Sequence, residues 1–180
     1  MATKKTIADK SPSAWALARI SLGLIFLWAF FDKLFGLGYA TCRDATTDTV
    51  SLVCKKAWVE GGSPTAGFLG HATKGPLTDF YQGLVGQSWV DWLFMGGLLL
   101  IGIALVAGIA MRLAAISGSL LLLMMWSAVL PPANNPLLDD HIVYIIVLMG
   151  LALLPASQQK WSLQAWWAKQ PLTSQIPILK

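Results

Sequence analysis

The sequence predicts an all-α integral membrane protein: a four-transmembrane-helix antiparallel bundle with an extracytoplasmic loop containing short amphipathic helices. Three observations predict it. Of the 180 residues, 56% are hydrophobic and only 12% charged, with a mean hydropathy of +0.61, whereas soluble domains carry about a quarter charged residues. Four apolar stretches approach the roughly 20 residues needed to cross a hydrocarbon core of about 30 Å. Lys and Arg collect on alternate sides of these stretches.

The first span runs from Trp15 to Gly36. It is longer than the roughly 7–15 residues of a signal-peptide core, and it ends in Phe31-Asp32-Lys33-Leu34-Phe35, a poor cleavage context, so it is expected to stay in the protein. The second runs from Trp89 to Ala110 and the third from Leu113 to Leu130. With Met111 and Arg112 alone between them, they form a tight hairpin. Ala104 with Gly108, and Ala114 with Gly118, are small-residue pairs that would let its arms approach closely. The fourth, Leu137 to Leu154, stops at Pro155. Each must be helical, because an unpaired backbone amide is too costly in hydrocarbon. The divisions are a tail over 1–14, a membrane domain over 15–155 with an outer loop over 37–88, and a second tail over 156–180.

Orientation follows from the cations. With the N-terminus in the cytoplasm, the inner side holds Lys4, Lys5, Lys10, Arg19, Arg112, Lys160, Lys169 and Lys180 against Asp9 alone. The outer side holds Lys33, Arg43, Lys55, Lys56 and Lys74 against Asp32, Asp44, Asp48, Glu60, Asp79, Asp91, Asp139 and Asp140. Both termini are therefore expected in the cytoplasm, in a multi-pass protein of the plasma membrane. Trp15, Trp161, Trp166 and Trp167 suit the inner interface, and Trp89 and Trp92 the outer one. Arg19, one turn inside the first span, is expected to snorkel to lipid phosphates. The cations form no stripe with interleaved aromatics, so membrane lipid is an expected partner and nucleic acid is not.

The outer loop contains both cysteines, Cys42 and Cys54. Outside the cytoplasm such a pair forms a structural disulfide; a redox-active thiol pair is the alternative, against which stands the absence of a Cys-x-x-Cys spacing. Ser63-Pro64 is a helix start, with a cap followed by Pro at the first helical position. Leu77, Phe80, Tyr81, Leu84 and Val85 recur at i, i+3, i+4, i+7 and i+8 and mark one apolar face of a short amphipathic helix. Such a helix lies in the headgroups or caps the bundle as a lid, and the pattern leaves both open.

The fourth span carries the polar residues that need explaining. Ile142 to Leu154 is too short to cross, so the helix must begin near Pro136 and draw Asp139, Asp140 and His141 to the hydrocarbon edge. Asn134 and Asn135 precede it, and Asp32 and Lys33 end the first span at the same level. Ionisable groups at this depth are functional candidates. His141 and Asp140 adjoin Tyr144 on a helix face and could exchange protons near neutral pH, as a membrane quinone requires. In the alternative account, Asp139 and Asp140 only complement the positive helix start. With His71 and His141 as the sole histidines, no Cys cluster, no phosphate loop and no dinucleotide fingerprint, no metal, haem or flavin is expected in this chain.

Three stretches together resemble the DoxX/DoxD family, and specifically the small-subunit DoxD type of thiosulfate:quinone oxidoreductase. They are Arg19 to Gly23 followed by Phe31-Asp32-Lys33-Leu34; Gly102 to Gly108 with Arg112 to Gly118; and Asn134-Asn135-Pro136 with Asp139-Asp140-His141. With the Gly62 to Thr65 segment they cover most of residues 13–155. The resemblance implies a four-helix subunit passing electrons from thiosulfate or a related sulfur compound to membrane quinone, a diffusible co-substrate, at the outer face. On that reading, charge and depth, rather than any known family role, make His141 and Asp140 the catalytic candidates, managing quinone protons. Asp32, Lys33, Arg43, Asn134, Asn135, Asp139 and Tyr144 would line the pocket, with Lys33 or Arg43 attracting an anionic sulfur substrate. The electron-donor site would need a separate DoxA-like chain or a larger redox complex. A non-catalytic accessory subunit is the competing function, and a small-solute carrier a weaker one.

Overall fold

The computed structural model describes residues 11–44 and 46–179. Lys4, Lys5, Asp9, Lys10 and Lys180, which enter the charge asymmetry, lie outside the described residues, as does most of the N-terminal tail. Among the described residues the regular structure is helical, with two isolated β-bridges and no strand. Seven α-helices occur: α1 (Ser11–Phe35), α2 (Thr78–Gln82), α3 (Ser88–Ala107), α4 (Met111–Ala128), α5 (Asp140–Leu153), α6 (Gln164–Trp167) and α7 (Pro171–Gln175). Three of them, α1, α3 and α4, are long and apolar enough to cross a membrane; α5 is apolar but has 14 residues.

The core forms where apolar residues repeat at helical spacing. On α1 the buried stripe is Ala16, Arg19, Leu22, Gly23, Phe26 and Phe30. It meets Met95, Leu98, Ile101 and Leu105 of α3, Ala114, Ala115 and Leu122 of α4, and Leu148 and Leu151 of α5. Helix α1 packs most extensively on α3, and α4 on α5. The close approach expected in the α3–α4 hairpin occurs instead between α1 and α3. A Cβ on Gly23 would stand 2.8 Å from the Val106 side chain and 3.0 Å from the Gly102 carbonyl, and one on Gly102 only 2.7 Å from Leu27. Gly118 sits under Leu148 of α5, with Ile101 and Phe26 beside it, so that small residue serves the α4–α5 contact and the central core. Gly108 does not pack helix on helix: it ends α3 in the left-handed conformation, φ 67°, returning its N–H to Ala104. Met111 and Arg112 therefore already belong to α4.

Arg19 departs from its expected role. It is 2% exposed, and its guanidinium donates to the carbonyls of Leu105, Val106, Lys160 (3.1 Å) and Trp161 (2.8 Å). Two of those carbonyls lie in the last turn of α3, where they have no intrahelical donor and a cation complements the helix dipole. The other two belong to the segment after α5. A planar guanidinium can serve several acceptors at once, so burial against carbonyls replaces the headgroup contact. The Leu163 N–H adds a bond to Ala107, the Trp167 indole donates to Leu179, and residues 177–179 return to α4. The C-terminal segment is thus packed on one end of the bundle.

At the other end the loop caps the helices. Ser63 Oγ accepts the Ala66 N–H, as the Ser-Pro signal predicts. The amphipathic pattern over 77–85 yields only the five-residue α2. Tyr81 is buried on Leu69 and Ala128, its hydroxyl 2.6 Å from Ser127 of α4, with Leu84 packed alongside, while Phe80 is exposed. Gly83 and Gly86 break the helix. Cys42 and Cys54 are joined as a disulfide.

Candidate functional site

The fourth long helix begins later than its hydropathy requires, and the reason is Asp139. Its backbone is extended, and its Oδ1 accepts the N–H groups of His141 (3.1 Å) and Ile142 (3.4 Å), so it caps α5 from outside the helix. Upstream, Asn135 Oδ1 accepts the N–H groups of Leu137 and Leu138, both at 2.9 Å, holding that stretch in a turn. Residues 137–139, expected inside the helix, are therefore not helical.

Capping uses one oxygen of Asp139. The other, Oδ2, lies 2.8 Å from His141 Nδ1, and both side chains are less than a fifth exposed. A carboxylate at Nδ1 fixes the ring and favours the tautomer with its proton there. His141 Nε2 has no hydrogen-bond partner among the described residues. Asp140 Oδ1 is 3.7 Å from the same ring nitrogen and is largely exposed. Asp139, not the expected Asp140, is thus the close partner of the imidazole. The three side chains also present oxygen and nitrogen atoms within 4.8 Å of one another, a spacing that could hold a metal ion.

The remaining predicted pocket residues divide. Asp32 is buried at the end of α1, where its two oxygens accept the N–H groups of Tyr39 and Ala40, each at 3.0 Å. Arg43 donates to the Gly38 carbonyl and pairs with Asp48 at 2.7 Å on the surface. Both hold the disulfide loop. The next residue, Asp44, accepts from the Thr46 hydroxyl and from the N–H groups of Thr47 and Thr46, bonds that hold its carboxyl well below the usual carboxylate range. Asn134 is exposed, and Tyr144 is half-buried against the core. Lys33 is half-buried, with no ion pair or hydrogen bond among the described residues. It continues the inward stripe of α1, three residues past Phe30. Phe26 and Leu148 meet at Gly118. Two helical turns, about 10 Å, beyond that level lie Lys33 on α1 and His141 on α5. Counted along their helices, Lys33 and His141 are thus equally far from that contact.

Two cavities add residues that the sequence did not single out. One, about 10 Å³, lies beside Arg19, Met111 and Gln159. The other, about 310 Å³, opens at the start of α3 between Trp58, Trp92, Ser63, Ser88 and Asp91. None of the predicted site residues lines either. Asp91 is 8% exposed, and its Oδ1 accepts from the hydroxyls of Ser63 (2.9 Å) and Thr65 (2.6 Å) and from the Thr65 N–H (3.3 Å). In the sequence it reads only as one more outer acid. Its position one turn into an apolar helix was the available signal.

No protein-family model, no curated protein sequence and no solved structure matches this chain.

Proposed function

We propose that the chain is the membrane subunit of a quinone-linked oxidoreductase, in which the Asp139–His141 pair manages the protons of quinone at the outer face. The observation that carries this is the 2.8 Å contact that orients His141 through Nδ1 and leaves Nε2 open. Quinone becomes quinol by gaining two electrons and two protons. An imidazole whose Nδ1–H is held by a carboxylate can take up a proton from water at Nε2 and then deliver it from that atom to the quinone oxygen. Lys33, at the corresponding position on α1, supplies a positive charge that favours the reduced, anionic states of the ring or an anionic donor. The electrons would come from thiosulfate or a related sulfur compound through a separate DoxA-like chain, as the resemblance implies.

This function belongs with four spans, cytoplasmic termini and an outer loop over 37–88, in the plasma membrane. Helix α5 alone is about 21 Å long, short of a full crossing. Its non-helical approach is supported at that depth by Asp139, Asn135 and the bond from the Trp126 indole to the Leu137 carbonyl, which satisfy backbone groups as a membrane interior demands.

The test is reduction of a soluble quinone analogue by the purified protein with its co-purifying chains, driven by thiosulfate. General acid–base catalysis is worth roughly 10²–10⁴-fold, so His141→Ala should lose at least about a hundredfold while remaining folded. Asp139→Asn keeps one capping oxygen and should shift the pH profile. The second reading is a non-catalytic accessory subunit of a larger redox complex. A variant matching wild type in turnover would establish that reading and end the catalytic one.

A further inference from the structure

The geometry points to a binding site for an alkylammonium group, separate from the Asp139–His141 pair, in the cavity formed by Trp58, Trp92 and Asp91. Asp91 is more than nine-tenths buried, and no Lys, Arg or His pairs with it among the described residues. An ionised carboxylate removed from water needs a countercharge or a full set of hydrogen bonds. It has half of that set. Ser63 and Thr65 satisfy Oδ1. Among the described residues Oδ2 has no partner, and it is not among the sealed unpartnered atoms, so it opens onto the cavity that Asp91 lines.

The walls fit a soft cation. Trp58 and Trp92 meet edge to face, at 71° with ring centroids 4.7 Å apart, and both line the cavity that Asp91 lines. Two indoles and an anion are the chemistry that recognises quaternary and primary ammonium groups: the ring faces attract the cation, and the carboxylate neutralises it. A volume of about 310 Å³ admits a trimethylammonium group with its attached chain. The buried anion disfavours a sulfur oxyanion there. Gly62 lines the same cavity and lets the loop pack closely on itself, since a Cβ at that position would strike the Lys56 backbone. The same ammonium could come from a dissolved amine such as choline or from a phosphatidylcholine headgroup.

The experiment is radiolabelled choline binding to the full chain in phosphatidylglycerol nanodiscs, with tetramethylammonium and its uncharged counterpart 3,3-dimethylbutanol as competitors. Saturable binding is expected, displaced by tetramethylammonium and not by the alcohol. Asp91→Asn keeps an oxygen for Ser63 and Thr65 but removes the charge, and should weaken binding at least about tenfold; Trp92→Ala, which leaves those bonds intact, should do likewise. Thermal melting controls for folding. In phosphatidylcholine nanodiscs, loss of choline binding identifies the lipid headgroup as the ligand, and retention identifies the free amine. Absence of saturable binding, equal displacement by the alcohol, displacement by a hydroquinone with none by tetramethylammonium, or unaltered binding by Asp91→Asn overturns the assignment.

Discussion

Replacing Arg19 by Met tests what holds one end of the bundle together. The side chain keeps most of its apolar stem but loses the guanidinium, and with it four hydrogen bonds to carbonyls on two segments far apart in sequence. Hydrogen bonds between membrane helices average about 0.6 kcal/mol each, which sets a lower bound near 2.4 kcal/mol. Bonds to charged groups in soluble proteins are worth about 1.5–3 kcal/mol each, or about 6–12 for four. A water entering the adjoining 10 Å³ cavity would recover part of the loss, so we take about 3 kcal/mol. For a chain of this size that corresponds to a fall in Tm of roughly 10 °C. Melting in detergent by tryptophan fluorescence measures it, and limited proteolysis after Lys160 and Lys169 reports release of the C-terminal segment. Arg19→Lys, which keeps the charge but not the planar fork, should fall between. Gly108→Ala should mimic the loss, because its φ of 67° is unfavourable and the new methyl would collide with the guanidinium and Ser162. Should Arg19→Met melt within about 2 °C of wild type, with unaltered protease protection, Arg19 is not the clamp described above.

Three other outcomes follow from the same geometry. Gly102→Val should force α1 and α3 apart and lower stability by about 1–3 kcal/mol, whereas Gly96→Val, where a Cβ meets nothing, should be near neutral in the same melting assay. Reducing the Cys42–Cys54 disulfide should cost the loop it closes, 12 residues in separation, on the order of 3 kcal/mol of chain entropy; faster cleavage after Arg43, with unchanged bundle melting, is the expected pattern. The Asp44 carboxyl titrates below its unfolded value of 3.8. Its contribution to the 44–49 turn is complete above that value and is lost as pH falls toward the folded value. Pepsin should therefore cleave wild type and Asp44→Ala at rates that differ near pH 5 and draw together as the pH falls progressively below 3.8.

Much of the helical architecture was legible in the sequence because hydropathy and helical period are local properties. The spans of α1, α3 and α4, the Ser63 cap and the disulfide partners all follow from residues close together in the chain. What failed was decided by long-range competition. Asp139 could have extended the fourth helix or capped it, and the cap won because its oxygens also reach His141. Arg19 could have met lipid phosphate, but carbonyls from residues 105, 106, 160 and 161 surround it. The small residues of the hairpin carry no label saying which neighbour they will face, and the closest crossing fell at Gly23 and Gly102 instead.

The candidate site divides along the same line. The Asp139-Asp140-His141 cluster was readable because its members are adjacent and unusual beside an apolar run. That Asp139 rather than Asp140 holds the imidazole depends on cap geometry, which sequence spacing does not encode. The cavity at Asp91 is a wholly tertiary feature: Trp58 and Ser63 come from a loop, Trp92 and Asp91 from α3, and nothing local links them. Sequence alone determined that this chain is apolar and helical, because burial in lipid or protein acts residue by residue. Only the folded structure decided which polar groups satisfy one another and which are left open, because a hydrogen bond requires two partners whose meeting depends on the packing of the whole bundle.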